Sequence, residues 1–263
     1  MRLGVVADVH GNVHALEAAM RAVGDVDAWI CPGDVVGYGP RPNECAARVR
    51  SLDPLVTVAG NHDLMVVDRM PEYDLGPLPK RTLDWTRGVL SGETRDWLSR
   101  LPLTAGGVAG GAVFVAHGSL DDATTYVRSE ALAREQLRLL GEREPDARVL
   151  LLGHTHVPMA FSAERGLVRP RGEIELRAGD GPWLLNPGAV GQSRERRALA
   201  RALVLDTERG IARFVAVRYD TRATRRELLE AGLPPHAHHL APGRLARWRR
   251  RRGARRHAPS TGR

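Results

Sequence analysis

One eight-residue segment, 149–156, constrains the fold of this 263-residue chain more than any other stretch. It reads Val-Leu-Leu-Leu-Gly-His-Thr-His, and its four consecutive apolar residues predict a short strand that is buried on both faces. His154 and His156 then follow at the carboxyl end of that strand. Because residues two apart in an extended chain face the same side, we expect both imidazoles to converge on one point. Unpaired ring nitrogens are costly inside a core, so this pattern indicates a bound metal ion.

The histidine pair alone also fits a simpler interpretation, in which one ring is hydrogen-bonded in the core and the other meets solvent. However, four earlier apolar segments that predict buried strands also end in polar side chains. These side chains are Asp8 and His10, then Asp34, then Asn61, His62 and Asp63, and finally His117. Since ligands bind at the carboxyl ends of the strands in an open α/β sheet, we expect these side chains to lie together. Without Asp63, these side chains and the histidine pair make eight ligand groups in total. Eight groups suit two octahedral-like ions with water better than one tetrahedral ion.

Two residues in the neighbouring loops are candidates for binding a substrate. Tyr38 lies between two glycines in the segment Val-Gly-Tyr-Gly-Pro, 36–40, a tight loop that can bring its hydroxyl close to a ligand. Asn12 immediately precedes a segment, 13–23, that has helical periodicity. For Asn12 the role of a helix cap stays open, as does a simple turn role for Asp8.

The rest of the sequence predicts one α/β domain over residues 1–232 and a separate tail over 233–263. Residues 64–111 carry no ligand motif and predict two helices, around Trp85 and Trp97, whose indoles are expected to pack between helices rather than stack on bases. We expect this segment to form a lid over the site and to govern substrate choice. Beyond the histidine pair, the pattern favours hairpin strands in a more antiparallel half.

The basic charge of the chain is concentrated in the tail. The formal net charge is +8, but residues 231–263 contain nine arginines and no acidic residue, which leaves 30 basic against 31 acidic groups in the rest. Such a tail can contact the phosphates of nucleic acid. We favour a solvated, mobile tail over a nucleic-acid site.

The cysteine count and the apolar runs bear on the compartment. Cys31 and Cys45 are too few for a disulfide framework, which indicates a reducing environment. The apolar start of the chain meets Asp8 too early for a signal peptide, and no run approaches the roughly 18 apolar residues of a membrane span. We therefore expect a cytoplasmic protein without a membrane span, and the sequence does not indicate its oligomeric state.

The order of these blocks resembles the calcineurin-like metallophosphoesterase superfamily. The blocks are Asp8-x-His10, Gly33-Asp34, Gly60-Asn61-His62-Asp63, His117 and Gly153-His154-x-His156, and the resemblance runs from Met1 to about Tyr219. The finer pattern, including Asn186-Pro187-Gly188, is similar to the small prokaryotic phosphoesterases and phosphodiesterases of that superfamily. The resemblance implies an α/β fold with four layers, in which two mixed β-sheets pack face to face with helices outside.

The resemblance also implies a dinuclear metal site. One ion would be held by Asp8, His10, Asp34 and His156, and the other by Asp34, Asn61, His117 and His154, so that Asp34 bridges both. The family uses divalent manganese, iron, zinc, nickel or cobalt, of which we expect manganese. A bridging hydroxide would attack phosphorus, with His62 as general acid or charge stabiliser at the leaving oxygen and Asp63 as the residue that orients His62.

The expected activity is therefore hydrolysis of a small phosphomonoester or phosphodiester by a metal-dependent phosphatase or phosphodiesterase. Two alternatives stay open: a hydrolase of dinucleoside polyphosphates or cyclic nucleotides, and a binding module that retains metal without turnover. A protein-phosphatase role is disfavoured, because relatives of that kind carry an arginine shortly after the bridging aspartate and the segment 35–39 has none.

Overall fold

The computed structural model describes residues 1–53 and 55–243. Its strands are β1 (Arg2–Val5), β2 (Ala28–Cys31), β3 (Leu55–Thr57), β4 (Thr104–Val108), β5 (Val113–Ala116), β6 (Val149–Leu151), β7 (Met159–Ser162), β8 (Gly166–Val168), β9 (Glu173–Glu175), β10 (Trp183–Asn186), β11 (Ala200–Asp206) and β12 (Ile211–Val217). Its helices are α1 (Val13–Val23), α2 (Pro42–Arg50), α3 (Asn61–Val66), α4 (Pro77–Val89), α5 (Gly92–Ser99), α6 (Glu130–Arg143) and α7 (Thr221–Glu230), with a short 3-10 helix at Ala178–Asp180. Within these described ranges, no helix is both long enough and apolar enough to cross a bilayer.

The strands form two mixed sheets of six. The first has the order β3-β2-β1-β11-β12-β9, in which β1, β2 and β3 are parallel and the other pairings are antiparallel. The second has the order β4-β5-β6-β10-β7-β8, in which β5, β6 and β10 are parallel. The chain after His156 was expected to be antiparallel, and β10 departs from that expectation because it runs parallel to β6.

Alternation along the strands explains why the two sheets pack face to face. On β6, Val149 and Leu151 belong to the core between the sheets, whereas Leu150 and the following Leu152 belong to the core beneath α6. Similarly, β11 contributes Leu203 and Leu205 to the inter-sheet core on one side and Ala200, Ala202 and Val204 to the core that it shares with α1 to α5 on the other. The expected four layers, helix, sheet, sheet and helix, are confirmed.

The segment expected to form a lid is packed into the body of the domain. Leu83 of α4 and Leu98 of α5 are fully buried in the helix-covered core, and β4 pairs with β5 as the edge strand of the second sheet. Trp85 and Trp97 both pack against buried apolar residues, as expected from their helical positions. One residue of the segment, Tyr73, accepts a hydrogen bond from the predicted ligand Asn61 through its hydroxyl.

The start of the predicted tail is folded against the domain. Leu233, Ala237 and His238 are buried, and the backbone of 238–240 pairs with Ser193 through hydrogen bonds of 3.1 and 2.9 Å. The folded part therefore extends beyond residue 232. The arginine-rich residues 244–263, and with them the interpretation of the tail as mobile or nucleic-acid-binding, lie outside the described residues.

The two cysteines provide a test of this packing. Cys31 and Cys45 are unpaired and fully buried, and burial raises the pKa of the Cys31 thiol to about 12 and that of Cys45 well above its ordinary value. Because the thiolate is the reactive form, we expect neither thiol to react with a chromogenic disulfide reagent in the native protein at pH 8. Both should react after unfolding in guanidinium, and rapid labelling of the native protein would contradict the burial.

Candidate metal centre

The loops after the parallel strands of both sheets meet and form two overlapping groups of metal-ligand atoms. The first group comprises Asp8, His10, Asp34 and His156, and the second comprises Asp34, His117 and His154. In each group the ligand atoms lie within 4.8 Å of one another, and every member is at most 2% exposed. Asp34 is common to both, as expected of a bridging residue. The structure thus brings together side chains that are up to 148 positions apart in the sequence.

The backbone at this centre is unusual. Six non-glycine residues adopt left-handed backbone conformations, with φ between 41° and 63°: Asp8, His10, Asp34, Tyr38, His154 and His156. Each such residue costs about 1 kcal/mol or more, and clusters of them are typical of functional sites. The expectation that His154 and His156 converge by facing the same side of an extended strand is wrong. The strand ends at Leu151, the histidines lie in a left-handed turn, and their rings belong to different groups.

Two glycines allow the loops to approach each other closely. A Cβ on Gly60 would overlap the Oδ1 and backbone nitrogen of Asp34, so only glycine fits between the loop after β3 and the shared carboxylate. A Cβ on Gly191 would overlap the carbonyl of Val9, where the loop after β10 lies against the loop after β1. This second contact places the 191–194 segment at the centre.

Each carboxylate of the centre is fixed through one oxygen and leaves the other without a hydrogen bond. Asp8 Oδ1 accepts from the backbone N–H of His154 (3.1 Å), and Asp34 Oδ1 accepts from that of His62 (2.8 Å). Oδ2 of Asp8 and Oδ2 of Asp34 are buried and have no hydrogen-bond partner among the described residues. Buried carboxylate oxygens of this kind are costly unless a cation binds them, so the donor set fits a metal ion.

The imidazoles of the first group also fit a bound metal ion. His10 Nδ1 donates to the carbonyl of Val36 (3.0 Å) and His156 Nδ1 donates to that of Gln192 (2.7 Å), which fixes both tautomers. Burial lowers the pKa of both rings well below its ordinary value, so both are neutral. Their Nε2 atoms, 3.1 Å apart, therefore present two lone pairs to each other with no proton between them. A cation bound by both nitrogens would remove this repulsion.

The second group carries a proton where a cation would bind. His117 Nδ1 donates to the carbonyl of Pro32 (2.6 Å), while its Nε2 lies 3.3 Å from Asp34 Oδ2 and 3.1 Å from Asn61 Oδ1. Burial opposes a charge on this ring, but the Asp34 and Asp8 carboxylates raise the pKa of His117 to about 10. A metal ion at Nε2 would take the place of that proton. His154 Nε2 donates to the carbonyl of Thr124 (3.0 Å), which leaves its Nδ1 as the ligand atom.

His62 lies at the centre, but Asp63 does not orient it. The His62 ring is 5% exposed and its centroid lies 5.0 Å from that of His10, with Nδ1 buried and without a partner in the described part of the chain. Both oxygens of Asp63 instead accept backbone N–H groups, from Val35, Val36 and Gly60 at 3.0 to 3.2 Å. Asp63 therefore fixes the loops that follow β2 and β3, and its expected contact with His62 is not formed.

Of the two candidate substrate-binding residues, Asn12 is a helix cap and Tyr38 lies in the centre. Asn12 caps α1: its Oδ1 accepts from Ala15 N (3.2 Å) and its Nδ2 donates to Gly191 O (2.9 Å), so its amide is already used and the helix-cap alternative is the correct one. Tyr38 does lie in the centre. Its ring is edge-on to His10, with a centroid distance of 4.7 Å, and lies 4.9 Å from the His62 ring.

Four residues at the centre were not predicted from the sequence. Arg194 and Gln192 come from the loop after β10, and the backbone carbonyl of Gln192 also accepts the hydrogen bond from His156 Nδ1. Tyr126 stacks on His154 with a centroid distance of 4.0 Å, and the Tyr73 hydroxyl accepts from Asn61 Nδ2 (3.1 Å). Only the first two had a usable signal, since they follow a strand that ends at the same edge as the others.

Comparison with known proteins agrees with this geometry. The sequence matches the calcineurin-like phosphoesterase superfamily domain over residues 1–210. It is 28% identical over 235 residues to the uncharacterized protein MJ0912 of Methanocaldococcus jannaschii, covering 88% of this chain and 93% of that one.

Solved structures have the same architecture. A metallophosphoesterase from Sphaerobacter thermophilus superposes with a TM-score of 0.75 at 31% identity, covering 94% of this chain and 98% of the other. The hypothetical protein PH1004 from Pyrococcus horikoshii OT3 shares the fold with a TM-score of 0.72 at 20% identity, covering 90% and 95% of the two chains. This chain therefore belongs to the calcineurin-like phosphoesterase superfamily.

Proposed function

We propose that the protein is a dinuclear metal-dependent phosphoesterase that hydrolyses a small phosphomonoester or phosphodiester. The observation that carries this proposal is the position of Asp34 Oδ2. This oxygen has no hydrogen-bond partner among the described residues and lies 3.6 Å from His10 Nε2 and 3.3 Å from His117 Nε2, so it faces both groups of ligand atoms. A carboxylate shared in this way suits a pair of ions, and membership of the superfamily supports hydrolysis as the reaction.

The residues around the centre have distinct parts in such a reaction. Two divalent ions, when bound, would neutralise phosphoryl oxygens and make water nucleophilic at neutral pH. Asp8 and Asp34 balance the charge of the cations, and the carbonyl contacts of the histidines hold the ligand nitrogens in place. His62 is the residue that we assign to the leaving oxygen, where it donates a hydrogen bond. Burial of the centre limits access of bulk water.

We assign manganese to the centre as the first ion to test. The ligand groups are carboxylates, imidazoles and, with Asn61, an amide oxygen near His117, and neither group contains a thiolate. Such a set suits Mn²⁺ and also accepts iron, cobalt, nickel or zinc.

Metal-dependent hydrolysis of nitrophenyl phosphates tests the proposal. Protein stripped with a chelator should be inactive towards p-nitrophenyl phosphate and bis(p-nitrophenyl) phosphate, and reloading with Mn²⁺ should restore turnover because the unpaired oxygens and nitrogens regain their cations. Metal analysis of the reloaded protein should give about two ions per chain.

The assay is repeated with a panel of phosphoesters and with each of the five candidate ions, so that a negative result covers every combination. Protein that binds two ions per chain but hydrolyses no ester with any of them would contradict an enzymatic role. It would favour the alternative of a binding module that retains metal.

A further inference from the structure

The half-buried guanidinium of Arg194 has no carboxylate partner in the described part of the chain. Within residues 1–53 and 55–243, no Asp or Glu oxygen lies within 4.0 Å of it. The adjacent acidic residue, Glu195, is already paired with Arg201 through two contacts of 2.7 and 2.6 Å. A cation held at low exposure without a counter-ion is unfavourable unless an anion joins it.

The position of Arg194 is fixed by its neighbours. Its Nε donates to Gln192 Oε1 (3.2 Å), and the guanidinium interacts with the hydroxyls of Tyr38 and Tyr126. Its Cζ lies 5.8 Å from the centroid of the Tyr126 ring, which itself stacks on His154. A side chain restrained in this way loses little further entropy when it binds a ligand.

The charge of Arg194 acts on the centre itself. Its positive charge interacts electrostatically with Asp8, His62, His154 and His156. A second donor lies beside it, because Gln192 is fully buried and its Nε2 has no hydrogen-bond partner in the described part of the chain. A guanidinium and a free amide N–H₂ next to a cation site form a place for the oxygens of an anion.

We propose that Arg194 binds a phosphoryl oxygen of the substrate and makes the centre prefer phosphomonoesters to phosphodiesters. This inference rests on the proposed function. A monoester carries about 1.5 to 2 negative charges at neutral pH, whereas a diester carries one and has an organic group in place of one terminal oxygen. The additional positive charge and the planar fork of donors therefore favour the monoester.

The test compares Arg194→Met with Arg197→Met, which removes the same charge from an exposed position in the same loop. With Mn²⁺-loaded protein, Arg194→Met should lower kcat/KM for p-nitrophenyl phosphate roughly 100-fold and that for the bis ester by less than about threefold. Orthophosphate affinity, measured by titration calorimetry, should weaken roughly 10- to 100-fold. Arg197→Met should match wild type in all three, and Arg194→Lys should lose part of the monoester rate because it keeps the charge without the fork.

The possible failures can be told apart. Equal losses on both esters, or unchanged orthophosphate affinity in Arg194→Met, would overturn the role of Arg194 while leaving metal-dependent hydrolysis intact. If the wild-type protein hydrolyses neither ester, the proposed function is refuted. If Arg194→Met nevertheless binds orthophosphate more weakly than the wild type does, the anion site is supported. Metal content and thermal unfolding of each variant show whether its centre is assembled, and Arg194→Lys provides the same comparison if the methionine variant does not fold.

Discussion

The Asp34→Asn variant is expected to lose phosphoester hydrolysis by roughly a thousandfold or more and to bind less metal. The amide oxygen should stay where Oδ1 accepts the backbone N–H of His62, because an N–H₂ there would face another donor. The N–H₂ group then occupies the place of Oδ2, facing His10 Nε2 and His117 Nε2. At that place it offers hydrogens instead of a lone pair, so the shared ligand is lost with almost no change in shape.

Asp96→Asn is the matched control for this variant. It makes the same chemical change at an exposed position on α5 that belongs to neither ligand group, and it should leave activity and metal content unchanged. Both variants should keep the circular dichroism spectrum of the wild type. Wild-type turnover in Asp34→Asn would remove the bridging role on which the proposed function depends.

The ligand set could be predicted because it follows from a topological rule. Residues that come directly after buried strands meet at one edge of a parallel sheet, wherever the strands lie in the sequence. Asp8 and Asp34 obey this rule in the first sheet, and His117 and the two histidines after β6 obey it in the second, so that the packing of the two sheets brings both sets together. Their apolar strands are easy to recognise. The apolar residues of β6 predict only that both faces of its sheet are covered, and the expectation of four layers came from the family resemblance.

The rest of the site depends on contacts that local patterns do not encode. Strand β10 reads like its antiparallel neighbours, and only its pairing with β6 brings Arg194 to the centre. Likewise, Asn12 and Asp63 carry the right chemistry in the right loops, yet their side chains are used on backbone groups. These two side chains hold the loops together by hydrogen bonds to the backbone, which stabilises the six left-handed residues at the centre.

His62 offers the second large effect, and its size should depend on the leaving group. His62→Ala is expected to lower kcat roughly 100- to 1000-fold for an aliphatic ester such as glycerol phosphate, because an alkoxide needs a hydrogen-bond or proton donor to depart. For p-nitrophenyl phosphate the loss should be about tenfold or less, since the phenolate departs without a proton at neutral pH. The measurement is kcat for both esters with the Mn²⁺-loaded variant.

His14→Ala is the control for this comparison, because His14 pairs with Glu227 on α7 (3.0 Å) and belongs to neither ligand group. It should leave the ratio of the two rates unchanged. If His62→Ala slows both esters equally, His62 does not act at the leaving oxygen. Burial lowers the pKa of the His62 ring, so it is neutral at pH 7 and one of its nitrogens donates while the other accepts. A rate difference that persists unchanged from pH 7 to pH 9 would therefore identify a neutral hydrogen-bond donor rather than an imidazolium acid.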